Sequence, residues 1–71
     1  MKQLFHLTSD YIALCDLLKC CGLADTGGKA KYLIAQGEVS VDGQVEWRKT
    51  CKIRCGQCVS IGDVMIEVSH V

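Results

Sequence analysis

The sequence has no proline, no long apolar run and no net charge. Eight basic side chains balance eight acidic ones in a chain of 71 residues, and its seven glycines are dispersed. These absences exclude a linker or low-complexity segment. No apolar stretch reaches the roughly 20 residues that cross a bilayer, and residues 1–7 lack the long apolar segment of a signal peptide. We therefore expect a cytoplasmic protein with no membrane association.

Length and composition predict one small domain. A chain this short has no room for a second domain, and 49% of its residues are apolar, enough to form a core. We expect residues 1–71 to form a single domain and the protein to be a monomer.

Six cysteines in a short chain allow three interpretations. Disulfide scaffolds are typical of exported proteins, and no export signal is present. Several cysteines occupy periodic apolar positions, where a reduced thiol behaves as a small hydrophobic residue, and we favour this interpretation. Zinc is the alternative, with Cys20 or Cys21 and His6 or His70 as ligands.

The spacing Cys51-x-x-x-Cys55-x-x-Cys58 matches that of a cysteine triad that holds an iron–sulfur cluster. Such a triad needs a loop that wraps three thiolates around one cluster, whereas these residues straddle a predicted strand and turn. The chain is also too short for the barrel that such enzymes use. We therefore predict no cofactor.

The first half of the chain shows the 3.6-residue period of amphipathic helices. The inner face of a first helix of about 13 residues is marked by Tyr11, Leu14, Cys15, Leu17, Leu18 and Cys21. Thr8 or Ser9 is its predicted N-cap, and Gly22 is expected to end it.

A second helix of about 10 residues follows after a short turn. Thr26 is its predicted N-cap, and Ala30, Leu33 and Ile34 mark its inner face. It runs to Gln36 and is expected to stop at Gly37.

After Gly37 the period changes to 2, which is typical of half-buried strands. The predicted strands contain Val39 and Val41; Val45 and Trp47; Cys51, Ile53 and Cys55; Val59 and Ile61; and Val64, Ile66 and Val68; residues 4–7 add an edge strand. Tight turns are predicted at Asp42-Gly43, Gly56-Gln57 and Gly62-Asp63. Two helices followed by short antiparallel strands indicate an α+β domain.

Trp47 has two interpretations. It shares strand parity with Val45, which favours a position that anchors the sheet against a helix. Beside Arg48 it could instead stack on an unpaired base. We favour the core position.

The segment 48–54 holds half of the basic residues and no acid. Because the chain is neutral, this local excess must be matched by acids elsewhere, so the surface is polarised. A concentrated positive surface attracts phosphate. On a strand, Lys52 and Arg54 would share one face, with Arg48 and Lys49 in the loop before it.

These elements and several motifs resemble the S4-like RNA-binding domain. The motifs are Leu14-x-x-Leu17-Leu18; Gly22-Leu23; Thr26-Gly27-Gly28-Lys29-Ala30-Lys31-x-Leu33-Ile34-x-x-Gly37-x-Val39-x-Val41-Asp42-Gly43; and Lys52-Ile53-x-x-Gly56-Gln57-x-Val59-x-Ile61. The resemblance covers about residues 10–61. It extends to the small, free-standing bacterial members called YbcJ-like, through Glu46-Trp47-Arg48-Lys49-Thr50-Cys51-Lys52-Ile53.

The resemblance implies an αL-type motif, with two helices packed on a small, bent antiparallel sheet. It also implies a non-catalytic module that binds structured RNA, such as ribosomal or transfer RNA. The family commonly has a basic residue where this chain has Gly27.

We expect the phosphate contacts to come from six cationic side chains and from N–H groups at the start of the second helix. These residues are Lys29, Lys31, Arg48, Lys49, Lys52 and Arg54, with Gly27 and Gly28. Both stretches are expected to converge in one patch. The alternative is a protein-interaction adaptor on the ribosome or on an RNA-processing enzyme, with a basic face that docks an acidic partner.

Overall fold

Two helices and seven strands form within residues 1–70, which are the residues described by the computed structural model. In chain order they are β1 (Lys2–Leu7), β2 (Ile12–Ala13), α1 (Leu14–Cys20), α2 (Gly27–Ala35), β3 (Val39–Val41), β4 (Gln44–Val45), β5 (Lys52–Ile53), β6 (Cys58–Ile61) and β7 (Val64–His70). A five-stranded sheet has the order β1-β7-β6-β3-β4, and β2 pairs with β5 in a separate ribbon. The predicted α+β class is confirmed.

The five-stranded sheet is mixed rather than purely antiparallel. The pairs β3–β4, β3–β6 and β6–β7 are antiparallel as predicted. The first strand lies at the edge as predicted, but it runs parallel to β7, with Leu4 opposite Glu67. A parallel pair requires a long crossover, and here the crossover is nearly the whole chain. Apolar alternation does not encode strand direction, so this difference was not visible in the sequence.

The core lies between the helices and the sheet. Its buried members form one cluster, which comprises Leu7, Leu14, Cys15, Leu17, Leu18, Ala24, Ala30, Ile34, Val39, Ile53, Val59, Ile66 and Val68. The predicted inner faces of both helices are therefore confirmed, except for Tyr11, which lies before α1 and is exposed. No helix within residues 1–70 is long and apolar enough to cross a membrane.

The first helix begins later than predicted. Its N-cap position is Ala13, which has no side chain able to cap. Neither Thr8 nor Ser9 caps the helix; the Ser9 hydroxyl donates instead to the carbonyl of Tyr11 at 3.0 Å. Residues 12 and 13 are drawn out of the helix because they pair with β5.

The second helix begins and ends as its sequence indicates. The Thr26 hydroxyl accepts a hydrogen bond from the N–H of Lys29 at 3.1 Å, which satisfies one of the N–H groups that a helix start leaves without a partner. At the other end Gly37 has φ +76°, and the N–H of Glu38 donates to the Leu33 carbonyl at 3.3 Å. This is a Schellman ending, which requires the left-handed conformation that glycine adopts without strain.

The Asp42-Gly43 turn is also confirmed. Both residues have positive φ, +51° and +87°, as a two-residue hairpin turn demands. The Asp42 carboxylate reaches the next hairpin, where Oδ1 accepts from the N–H of Cys58 at 2.9 Å. The turn therefore also ties β3 to the start of β6.

All six cysteine thiols are free, and they differ in burial. Cys15 is buried, and Cys21 and Cys51 are half-buried against the core, as their periodic positions predict. Burial raises the pKa of the Cys21 and Cys51 thiols. Cys55 was predicted to point inward and is exposed, because β5 ends at Ile53. Residues 1–70 contain no cluster of three or more His, Cys, Asp or Glu side chains that could hold a metal ion.

Thr26→Ala is expected to destabilise the protein by about 1 kcal/mol, because the N–H of Lys29 loses its cap. The free energy of unfolding from urea titrations followed by circular dichroism measures this. Thr8→Ala is the matched control, since Thr8 is exposed and caps no helix, and we expect a change within about 0.5 kcal/mol. Equal effects of the two substitutions would contradict the assignment of the cap.

Candidate functional site

The loop between β4 and β5 (residues 46–51), called here the basic loop, is hydrogen-bonded to the start of α1. The N–H of Leu14 donates to the carbonyl of Cys51 at 2.9 Å, and the N–H of Cys15 donates to the carbonyl of Lys49 at 3.0 Å. Two of the N–H groups that a helix start leaves open are thus satisfied by the loop backbone. The side chains of Arg48 and Lys49 remain exposed.

Three of the predicted cations meet in one surface hollow. Its volume is about 440 Å³, and its lining residues are Arg48, Thr50, Cys51, Lys52 and Arg54. The loop supplies the first three of these residues, and β5 with the residue after it supplies the other two. The hollow therefore holds three positive side chains over a stretch of seven residues.

Tyr11 lies beside this hollow and was assigned wrongly from the sequence. The Lys52 ammonium is 5.0 Å from the centroid of its ring, and the Arg54 guanidinium carbon is 5.6 Å from it. Both distances lie within the range of cation–π attraction. The β2–β5 pairing joins Ile12 to Ile53, and continuing this register places Tyr11 opposite Arg54. Had the β2–β5 pairing been recognised in the sequence, it would have placed Tyr11 beside this hollow.

Glu46 neutralises part of the positive charge. Its Oε2 accepts from the Arg48 side chain at 3.1 Å and from the Arg48 backbone N–H at 3.0 Å. These two hydrogen bonds to Arg48 lower the pKa of Glu46 from its ordinary 4.5 to about 2. Arg48 therefore enters the hollow with a carboxylate partner, which Lys52 and Arg54 lack within the described residues.

The remaining predicted cations lie on two elements. Lys49 is exposed in the loop, and Lys29 and Lys31 are exposed on α2. Within residues 1–70 none of the three forms a salt bridge. Gly27 and Gly28 form the start of α2, as predicted. The structure groups the cations of the loop and of β5; the convergence of α2 with them stays a prediction.

Lys19 is a further cation, one that was not singled out from the sequence. Its Cδ atom lies 3.9 Å from the position that a Cβ atom would occupy at Gly27. The side chain of the last turn of α1 thus passes beside the start of α2. The resemblance implied a basic residue at the position of Gly27, and the Lys19 side chain lies beside that position.

Trp47 does not lie in the core. The strand that was expected to contain it ends at Val45, and 63% of the tryptophan surface is exposed. The favoured interpretation of this residue was therefore wrong: the strand ends before Trp47, and Val45, whose parity it shares, is itself exposed.

The fold and the cationic hollow together define a small α+β module of the S4 class. The model of the S4 domain family matches residues 5–69, and the chain belongs to this family. YbcJ of Escherichia coli K12 and YbcJ of Shigella flexneri are each 50% identical to the chain over 58 residues, which is 82% of this chain and 83% of theirs.

A solved structure supports the same assignment. The solution structure of YbcJ from E. coli matches the chain with a TM-score of 0.72 and 46% identity, over 93% of this chain and 85% of that one. That structure is described as revealing an αL motif involved in RNA binding. The predicted family and the αL-type fold are confirmed.

Arg48→Gln is expected to raise the pKa of Glu46 from about 2 towards 4.5, because the hydrogen bond from the guanidinium is the largest cause of the low value. The backbone N–H of residue 48 remains, so the pKa should stay below 4.5. A ¹³C NMR titration of the Glu46 carboxyl carbon measures the change, with Lys49→Gln as the control that leaves it unaltered. An unchanged pKa in Arg48→Gln would contradict the pairing.

The pairing of Glu46 with Arg48 makes the stability of the protein depend on pH. Because the pKa of Glu46 is depressed in the folded state, its contribution to stability is fully present above 4.5 and is lost as the pH falls through about 2. Arg48→Gln should reduce the loss of stability in this interval.

Proposed function

We propose that the protein binds structured RNA, such as ribosomal or transfer RNA, by contacts between its cationic side chains and phosphate groups, without catalysing a reaction. The observation that carries the proposal is the hollow in which Arg48, Lys52 and Arg54 meet. Guanidinium groups bind phosphate with two parallel hydrogen bonds, and an ammonium group adds a compact charge.

The three cations of the hollow are expected to contribute unequally. Lys52 and Arg54 lie against the Tyr11 ring and have no carboxylate partner within residues 1–70. A phosphate can bind them without displacing an anion. Arg48 is shared with Glu46 at 3.1 Å, so a phosphate must compete with that carboxylate. We therefore expect Lys52 and Arg54 to give more affinity than Arg48.

The other predicted residues extend the surface. Lys49 lies in the same loop, and Lys29 and Lys31 lie on α2, which begins with the N–H groups of Gly27 and Gly28. A helix start is a favourable place for phosphate, and Lys19 adds a cation there. Phosphate contacts fix position and carry no sequence information, so recognition is expected to depend on RNA shape. The E. coli relative with an αL motif involved in RNA binding supports the proposal.

Lys52→Gln and Arg54→Gln are expected to weaken the binding of transfer RNA and to flatten its salt dependence. Each lost phosphate contact should reduce the slope of log K against log salt by about 0.7 to 0.9. Filter-binding titrations over a series of salt concentrations measure both quantities. Lys2→Gln is the control for the change in net charge, because it removes one exposed cation from β1, in the other sheet, where Lys2 pairs with Glu67 at 2.7 Å.

Two outcomes would contradict the proposal at different levels. If the wild-type protein shows no saturable, salt-sensitive retention of RNA, RNA binding itself is wrong. If the wild type binds and the double variant of Lys52 and Arg54 binds equally well, the hollow is not the site.

Glu46→Gln is expected to strengthen RNA binding and to steepen its salt dependence, because Arg48 no longer shares its charge with a carboxylate. The glutamine carbonyl can still accept from the N–H of Arg48, so the loop should keep its shape. Glu38→Gln changes the net charge equally on an exposed residue that forms no salt bridge within residues 1–70. If Glu46→Gln and Glu38→Gln bound RNA with the same affinity, Glu46 would not compete with phosphate for Arg48.

A further inference from the structure

Trp47 is an exposed aromatic side chain at the border of the cationic loop. It is the single tryptophan of the chain, and 63% of its surface is open to solvent. Tryptophan carries a large apolar area, so an exposed indole is less usual than a buried one. The next residue, Arg48, lines the hollow.

One edge of the indole ring rests against a glycine. A Cβ atom at Gly37 would lie 2.7 Å from Cη2 of Trp47 and 3.2 Å from Cζ3. The far edge of the six-membered ring therefore packs against the Gly37 backbone at a distance that only glycine permits. Gly37 is itself fixed, because its positive φ closes α2.

The backbone on both sides of Trp47 is also fixed. The N–H of Glu46 donates to the Val39 carbonyl at 3.0 Å, and the N–H of Arg48 donates to the Glu46 carboxylate at 3.0 Å. The fixed backbone and the contact with Gly37 restrict the ring, so covering it with a ligand costs less conformational entropy than covering a freely rotating side chain. The ring is thus a prepared apolar surface next to positive charge.

We propose that Trp47 stacks on an unpaired base of the bound RNA, whose neighbouring phosphates lie in the cationic hollow. This inference rests on the proposed function and adds to it a preference for RNA that has unpaired bases. Every base has a face that can stack on an aromatic ring, but in a paired A-form helix those faces are already covered. The positive charge of Arg48 and Lys49 beside the ring favours a polyanion as the occupant over a neutral apolar partner.

The preference can be tested with two RNA hairpins that share one stem, closed by a hexaethylene glycol linker in place of the loop so that the stem end carries no unpaired base. One hairpin is blunt, and the other carries a short single-stranded tail. The wild-type protein is expected to bind the tailed hairpin more tightly, and the tail should quench the fluorescence of Trp47, which is the only indole present. The blunt hairpin should leave the fluorescence nearly unchanged.

Trp47→Ala should weaken binding of the tailed hairpin by about 5- to 150-fold, the range that corresponds to losing one base–aromatic stack. Its affinity for the blunt hairpin should stay close to that of the wild type. Trp47→Phe retains an aromatic face and should restore part of the preference. Because the ring is exposed, both variants are expected to fold, and circular dichroism checks this.

The failures of the two proposals are distinguishable. If the wild type binds both hairpins with salt sensitivity but Trp47→Ala binds the tailed hairpin as well as the wild type does, stacking is wrong and RNA binding stands. Equal weakening for both hairpins, or a loss in Trp47→Phe as large as that in Trp47→Ala, also overturns stacking. If the wild type binds neither hairpin and no transfer RNA, the proposed function fails.

Discussion

The backbone tie between the start of α1 and the basic loop determines where the cations lie. Leu14 and Cys15 donate their N–H groups to the carbonyls of Cys51 and Lys49, and the short β2–β5 pairing continues the tie. Leu14 and Ile53 are fully buried, so the tie is set into the core at both of its ends. Because the loop is held by its own carbonyls, the Lys49 side chain forms no salt bridge within residues 1–70, whereas the Arg48 side chain also donates to Glu46.

Charge is distributed unevenly within that frame. The chain as a whole is neutral, yet three cations line the hollow, and the Glu46 carboxylate pairs with one of them, Arg48. The carboxylate fixes the loop through the backbone N–H of Arg48 and also lowers the positive charge that the loop offers. One side chain therefore stabilises the loop and weakens its attraction for anions, and the affinity of the site reflects this compromise.

Features set by neighbouring residues could be predicted from the sequence. The Thr26 cap spans three residues, the Gly37 ending spans one helical turn, and the Asp42-Gly43 turn is local. Features set by distant partners could not. The start of α1 depends on Cys51, and the position of Tyr11 depends on the register with β5. The cluster of Arg48, Lys52 and Arg54 was predictable, because these residues are close in sequence; the pairing of Arg48 with Glu46 requires the geometry of the turn.

The exposed tryptophan shows why the strand boundary matters for the site. Had β4 continued beyond Val45, residue 47 would have shared the face of Val45, which is itself exposed. The strand ends instead where Glu46 turns to accept from Arg48, and the indole then packs against Gly37. The same turn that holds the guanidinium thus places an aromatic surface beside it. Cationic and stacking groups at one edge are the combination that binds single-stranded nucleic acid, and a small module with few phosphate contacts gains most from adding the second kind of contact.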